Sequence, residues 1–198
     1  MTYSIVARDP ATGELGVAVQ TRWPNVGASV PYAEAGVGAI ATQSFTEESY
    51  GPLGLARLRQ GAVAPDVLAA LVADDPGRDV RQVGMVDASG RADAWTGARC
   101  VREAGSIARE DVSIQANMME RPTVWQAMAA AYATAAVGSA PLVDRLVAAL
   151  RAAEGEGGDV RGRQSAALIV VPGRDRPGLG GSTCGSRTIP RPSTNSSG

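Results

Sequence analysis

The sequence predicts an α+β domain in which a sandwich of antiparallel sheets is covered by helices, and three observations carry that expectation. Apolar runs come in pairs separated by turn residues, the mark of hairpins. Segments with apolar residues at helical spacing, several opening on Pro, are grouped between the strands. A repeating strand–helix–strand order, which would indicate a parallel sheet, does not occur along the chain.

Residues 4–7 and 15–21 form the first hairpin, around a turn containing Pro10 and Gly13. Residues 36–43 are a third strand built of small side chains. Two short helices are expected over 52–60 and 65–73, each with Pro at its first position, where the absent N–H is no loss. A second hairpin joins 81–86 to 92–96 through Asp87, Ala88, Ser89 and Gly90. Alternation over 112–118 predicts a further strand, and the Ala-rich segments 123–135 and 140–153 predict two longer helices. Residues 165–171 are the last strand, apolar enough to be buried on both faces.

Residues 1–172 are thus read as one domain. From residue 173 the chain is mostly Gly, Pro, Ser, Thr and Arg and lacks the apolar surface to fold, which predicts a disordered tail over 173–198. A competing expectation is a frameshifted C-terminus: residues 182–196, written in G+C-rich codons and read one base out of frame, give a strand-and-helix ending with a histidine.

With 198 residues, 44% hydrophobic content and a net charge of −1, the chain is sized for a core of its own and has no excess of basic charge. That balance argues against a nucleic-acid partner. The sequence has neither a run of about 18 apolar residues nor a basic-then-apolar leader, so a soluble cytoplasmic protein with no membrane partner is expected. Cys100 and Cys184 make no disulfide scaffold.

The chain contains no histidine, and because all 19 basic residues are arginine it contains no lysine either. A Ser-His-Asp or Cys-His apparatus and an imidazole-held metal are therefore excluded. Schiff-base chemistry and a lysine base are excluded as well, since arginine stays protonated. No cofactor or metal is expected; Asp159 has no cluster of acids around it in sequence to hold magnesium.

Two features carry chemistry. Residues 157–165 place Asp159, Arg161, Arg163, Gln164 and Ser165 at the threshold of the last strand, where buried polar groups need partners or a ligand. Asp159 with Arg161 reads either as an ion pair closing the turn or as part of a binding site, and the two arginines could clamp a carboxylate or phosphate. The second feature is Thr2. Once Met1 is removed, its hydroxyl and free α-amine form a nucleophile and base in one residue, a pairing that works without histidine. Gln43 and Asn117 each end an apolar strand and could donate to an oxyanion or tie down a loop. Trp23 and Trp125 are read as packing residues.

Residues 2–9 (TYSIVARD), 13–19 (GELGVAV), 36–43 (GVGAIATQ), 49–52 (SYGP), 81–84 (RQVG) and 115–118 (QANM), with the motif at 157–165, resemble the bacterial and archaeal domain-of-unknown-function family 1028 across residues 2–172. That family is similar in fold to the N-terminal-nucleophile hydrolases, which implies a four-layer αββα sandwich. The resemblance places Thr2 at the nucleophile's position. It also places Gln20-Thr21-Arg22 where proteasome-like enzymes have Asp-Ser/Thr-Arg, so Gln20 replaces the acid, and the proteasomal lysine has no counterpart.

The expected function is hydrolysis of an amide-like C–N bond in a small anionic metabolite. Thr2 is the nucleophile, Gln43 and Asn117 stabilise the oxyanion, and Arg22, Asp159, Arg161, Arg163, Gln164 and Ser165 surround the substrate. The alternative is a non-catalytic module on the same fold that binds a small molecule or, since some family members are fused to cell-wall-binding modules, a cell-wall fragment. A homo-oligomer organised through the arginines of the motif is also expected.

Overall fold

A computed structural model describes residues 2–173; the expectations for the tail lie outside the described residues apart from Gly173 itself. In chain order the strands are β1 (Thr2–Arg8), β2 (Leu15–Thr21), β3 (Pro31–Glu34), β4 (Gly38–Ser44), β5 (Arg81–Asp87), β6 (Ala92–Thr96), β7 (Gly105–Arg109), β8 (Val112–Asn117) and β9 (Ser165–Val171). Helices α1 (Tyr50–Arg59) and α2 (Ala64–Asp74) lie between β4 and β5, and α3 (Val124–Val137) and α4 (Leu142–Gly155) between β8 and β9. One sheet has the order β7-β8-β1-β2-β9 and the other β3-β4-β5-β6, with antiparallel pairing throughout.

Successive side chains of a strand point to opposite faces, so each sheet separates two layers of core. Tyr3, Ile5 and Ala7 of β1, with Ile114 and Ala116 of β8, pack outward against Met128, Tyr132, Leu146 and Ala149 of α3 and α4. On the second sheet Ile40, Val83 and Met85 pack outward against Leu55, Leu58, Val67, Leu68 and Leu71 of α1 and α2. Between the sheets, Val6, Val17 and Val19 meet Ala39, Ala41 and Val86. The layers therefore run helix–sheet–sheet–helix. Each large side chain fully buried this way contributes about 1.5–3 kcal/mol, offset by the entropy of ordering the chain.

The α+β class and the helix-covered sandwich agree with the sequence reading. Two short strands, β3 and β7, were not expected, and the last strand is placed differently. The centre of its sheet is filled by β8, β1 and β2, so β9 takes the open edge beside β2, where its side chains are only half-buried instead of buried on both faces. Among the described residues no helix is long and apolar enough to cross a membrane, and no group of three or more Cys, Asp or Glu is arranged to hold a metal ion.

Candidate functional site

Strand register fixes the floor of the site. The β1–β2 hairpin pairs Thr2 with Thr21, and β1–β8 pairing sets Thr2 opposite Asn117. All three are nearly inaccessible to solvent, and the Thr2 and Thr21 hydroxyl oxygens lie 3.1 Å apart. Thr2, Thr21 and Asn117 line a cleft of about 460 Å³ that opens at this end of the sandwich, with Trp23, Phe45, Glu48, Val101 and Arg161 also on its walls. A roomier groove of about 560 Å³ lies between α2 and β6, lined by Leu68, Val72, Arg78, Asp93 and Trp95. Its lining has no hydroxyl, thiol or amine nucleophile, whereas the Thr2 cleft has the Thr2 hydroxyl, which makes that cleft the candidate site.

Beneath that floor, the inner faces of both sheets carry amides instead of aliphatic side chains. Gln43 Nε2 donates to the Thr2 carbonyl (3.2 Å), to Gln82 Oε1 (2.7 Å) and to the Gln115 carbonyl (3.3 Å), while Gln43 Oε1 accepts from Ser4 Oγ (2.6 Å). Gln115 Nε2 donates to Ser4 Oγ at 2.8 Å, and Asn117 Nδ2 donates to Gln82 Oε1 at 2.9 Å. Gln82 Nε2 reaches Thr96 Oγ1 and the Ala116 carbonyl, both at 2.9 Å. These side chains are buried and mutually satisfied, which is the condition for keeping polar groups inside a sandwich. Gly84 belongs to the same packing. A Cβ there would lie 2.2 Å from Gln115 Oε1, so only glycine lets the β8 amide cross to β5.

The residues expected from sequence separate into two groups. Thr2, Asn117 and Arg161 converge on the cleft. Gln43 does not line it and is an anchor of the Thr2 backbone, its donors already engaged below the floor. Asp159 is buried and holds the loop: Oδ1 accepts from the Arg161 N–H (2.8 Å) and Oδ2 from the Arg22 N–H (3.3 Å), with Arg161 Nε 3.5 Å away. The chain reaches it through Gly157 and Gly158, whose φ angles of 112° and 59° are left-handed.

Arg22 is exposed, with Nη1 donating to the Arg163 carbonyl at 3.4 Å, and Arg163 pairs with Glu154 at 3.4 Å on the helix side of the sheet. Gln164 donates its backbone N–H to the Thr21 carbonyl at 3.0 Å. Ser165 Oγ donates to the Trp23 carbonyl at 2.6 Å and accepts from the Val26 N–H at 3.2 Å. In this geometry Asp159, Arg22, Arg163, Gln164 and Ser165 bond to protein groups and shape the loop, and Arg161 is the member of the motif that reaches the cleft.

Gln20, the residue in the place of an acid, faces away from Thr2. It meets the Tyr3 hydroxyl on the helix side, where its amide nitrogen is buried without a partner among the described residues. Burial, reinforced by the hydrogen bond to Glu154, pushes the Tyr3 phenol well above its ordinary pKa. Cys100 is likewise pushed up by burial, which outweighs the hydrogen bonds from Ser44 and Gly97, and its thiol donates to the Arg81 carbonyl at 3.3 Å. A protonated, engaged thiol is no nucleophile.

Thr21, Trp23, Phe45 and Glu48 line the cleft although the sequence reading assigns none of them to the site. Trp23 is not a packing residue, being 68% exposed on the cleft wall, whereas Trp125 does pack, against Gly105 and the α3 and α4 core. For Thr21 a signal existed: once Arg8 is opposed to Leu15 across the first turn, the hairpin register brings Thr21 opposite Thr2. For Trp23, Phe45 and Glu48, which follow strands in loops, no pattern in the sequence gives a direction.

The model of DUF1028, a family of unknown function, matches residues 2–180. The crystal structure of a protein from Silicibacter pomeroyi assigned to the same family superposes with a TM-score of 0.79 and 32% sequence identity, covering 86% of this chain and 76% of that one. No curated protein matches the chain.

Proposed function

We propose that the chain, which belongs to the family of unknown function DUF1028, is a hydrolase that cleaves an amide-like C–N bond in a small anionic metabolite with Thr2 as its N-terminal nucleophile. The observation that carries the proposal is the Thr2 hydroxyl on the floor of a cleft, 3.1 Å from the Thr21 hydroxyl. With histidine and lysine absent from the sequence, an α-amine freed by removal of Met1 supplies a base on the same residue as the hydroxyl.

In this mechanism Thr2 Oγ1 attacks the amide carbon and its proton passes to the α-amine. Asn117, in the cleft opposite Thr2, donates from its amide to the developing oxyanion, and Arg161 holds an anionic group of the substrate. The α-ammonium then protonates the leaving nitrogen, the C–N bond breaks, and the acyl group remains as an ester on Thr2. Water, deprotonated by the same amine, adds to the ester and releases the acid, restoring Thr2. Gln43 and Thr21 are positioning residues: one fixes the Thr2 carbonyl, the other orients its hydroxyl.

The test is amine release from a panel of small anionic amides by protein whose mass corresponds to a chain starting at Thr2. Thr2→Ala should abolish release with an unchanged circular dichroism spectrum, and a chain retaining Met1 should be equally inactive. Release that survives in Thr2→Ala refutes the assignment. A second reading, a non-catalytic binding module, is favoured by one observation: Glu48 and Arg161 are the charged residues lining the cleft, and neither bonds to Thr2 among the described residues. Binding by the chain starting at Thr2 without turnover of any bound amide would establish that reading instead.

A further inference from the structure

The walls of the cleft carry more information than its floor. Trp23, Phe45 and Val101, which are 68%, 60% and 38% exposed, all belong to this one cleft. Large apolar side chains held open to water around a cavity are the usual signature of a surface that a ligand covers.

Both aromatics are held in place through their backbones. Trp23, which follows β2, donates its N–H to Thr21 Oγ1 (3.2 Å), and its carbonyl accepts from Ser165 Oγ (2.6 Å). Phe45, which follows β4 in the other sheet, donates its N–H to the Val80 carbonyl (3.2 Å), and its carbonyl accepts from Arg81 Nη1 (2.8 Å). Ser44, just before it, has a φ of 73°, a left-handed conformation a non-glycine residue adopts only when its surroundings enforce it. Fixing the backbone under an exposed ring lowers the entropy lost when a ligand covers that ring.

The charges narrow the ligand further. Arg161 engages Asp159 through Nε, at 3.5 Å, and a guanidinium so placed can offer its terminal N–H groups to a carboxylate. Glu48, on the same cleft, repels additional negative charge. One cation, one anion and two aromatic walls fit a monoanion with an apolar body better than a phosphate ester or a dicarboxylate.

We propose that the cleft takes N-acyl amino acids with one free carboxylate and an aromatic or branched apolar side chain, the carboxylate on Arg161 and the apolar body against Trp23 and Phe45. The inference rests on the Thr2 cleft being the substrate site, and it deepens the hydrolase reading. It also gives Ser165 a task, that of positioning Trp23.

Binding to the Thr2→Ala protein, by isothermal titration, tests the class without turnover. Racemic N-acetylphenylalanine should bind about tenfold more tightly than N-acetylalanine, as expected for burying a phenyl ring, and N-acetylaspartate should bind most weakly. Trp23→Ala and Phe45→Ala, each added to Thr2→Ala, should erase most of the advantage of N-acetylphenylalanine over N-acetylalanine, and Arg161→Gln should weaken all three ligands. Ser165→Ala should reduce the phenylalanine preference a few-fold. Equal affinity for the three ligands, or binding of none, overturns the proposal. The two readings fail separately. If protein starting at Thr2 binds N-acetylphenylalanine with this preference but releases no phenylalanine, the hydrolase reading falls and the ligand class stands. Hydrolysis of other amides without the aromatic preference has the opposite consequence.

Discussion

The two ends of the sandwich interior are enclosed by the same two sheets and are equally shielded from water, yet they are built from different chemistry. At one end Val6, Val17, Ala39 and Val86 form an apolar core. At the other, Ser4, Gln43, Gln82, Gln115 and Asn117 occupy the equivalent inward positions and hydrogen-bond to one another. Replacing both partners of a buried hydrogen bond by apolar groups of similar shape is often nearly neutral, so the amides are not needed for stability as such. What they add is direction. Gln43 fixes the carbonyl of Thr2 and Gln82 fixes the amide of Asn117, the two strand ends that reach the cleft. Polarity in this interior follows the position of the site and does not follow burial.

The comparison is broken most forcefully by Gln43→Leu, which leaves the Thr2 and Gln115 carbonyls and the Ser4 hydroxyl short of a partner inside the protein. A loss of about 3 kcal/mol in urea denaturation is expected, at about 1–3 kcal/mol per stranded group. Thr2-dependent activity or ligand binding should fall with it. Gly84→Ala should destabilise by about 2 kcal/mol, because its Cβ would collide with the Gln115 amide, 2.2 Å away. At the apolar end, Val17→Ala, opposite Val6, removes about two buried methylene equivalents and should lower stability by about 1.5 kcal/mol. Cleft binding measured on that variant should be unchanged; a ligand affinity that drops as far as in Gln43→Leu would erase the distinction between the two ends.

The smallest effect concerns Asp87, which closes the apolar end of β5. Burial alone would raise its carboxyl, but hydrogen bonds from the Ser89 hydroxyl and from the backbone N–H groups of Ala64, Ser89 and Arg91 outweigh it and hold the pKa below the usual range. A depressed folded-state pKa contributes stability that is complete above the unfolded value, about 4, and is lost as pH falls through the folded value. Acid titration of the denaturation midpoint should therefore steepen below about pH 4, and Asp87→Asn should flatten that limb.

Most of the layering was readable from local pattern, because hairpin turns and helical spacing are local properties. The exceptions have a common cause. β3 and β7 each lie at an edge of a sheet, where a short strand lacks full alternation; β3 even begins with Pro31. β9 was read as doubly buried because its composition is apolar, but which edge or centre a strand occupies is decided by strands distant in sequence. The site shows the same limit. Thr2 and Thr21 sit on a hairpin whose register is derivable, whereas Asn117 arrives on a strand distant in sequence, and Trp23 and Phe45 sit in loops aimed by hydrogen bonds to residues far along the chain, Ser165 and Arg81. The Asp159–Arg161 ion pair is legible from their spacing in the turn, whereas the second partner of the carboxylate, the Arg22 backbone N–H, comes from a strand end far along the chain, which no spacing rule reveals.

The most direct measurement is peptide-resolved mass spectrometry after treating protein that begins at Thr2 with a β-lactone, whose ring opens onto a nucleophilic hydroxyl and adds its full mass as an ester. An activated N-terminal nucleophile predicts one equivalent of adduct, located on Thr2 and absent from both the Thr2→Ala variant and a chain that retains Met1. Equal labelling of the Thr2→Ala variant, or an adduct located at another residue, would contradict the assignment of Thr2 as the nucleophile.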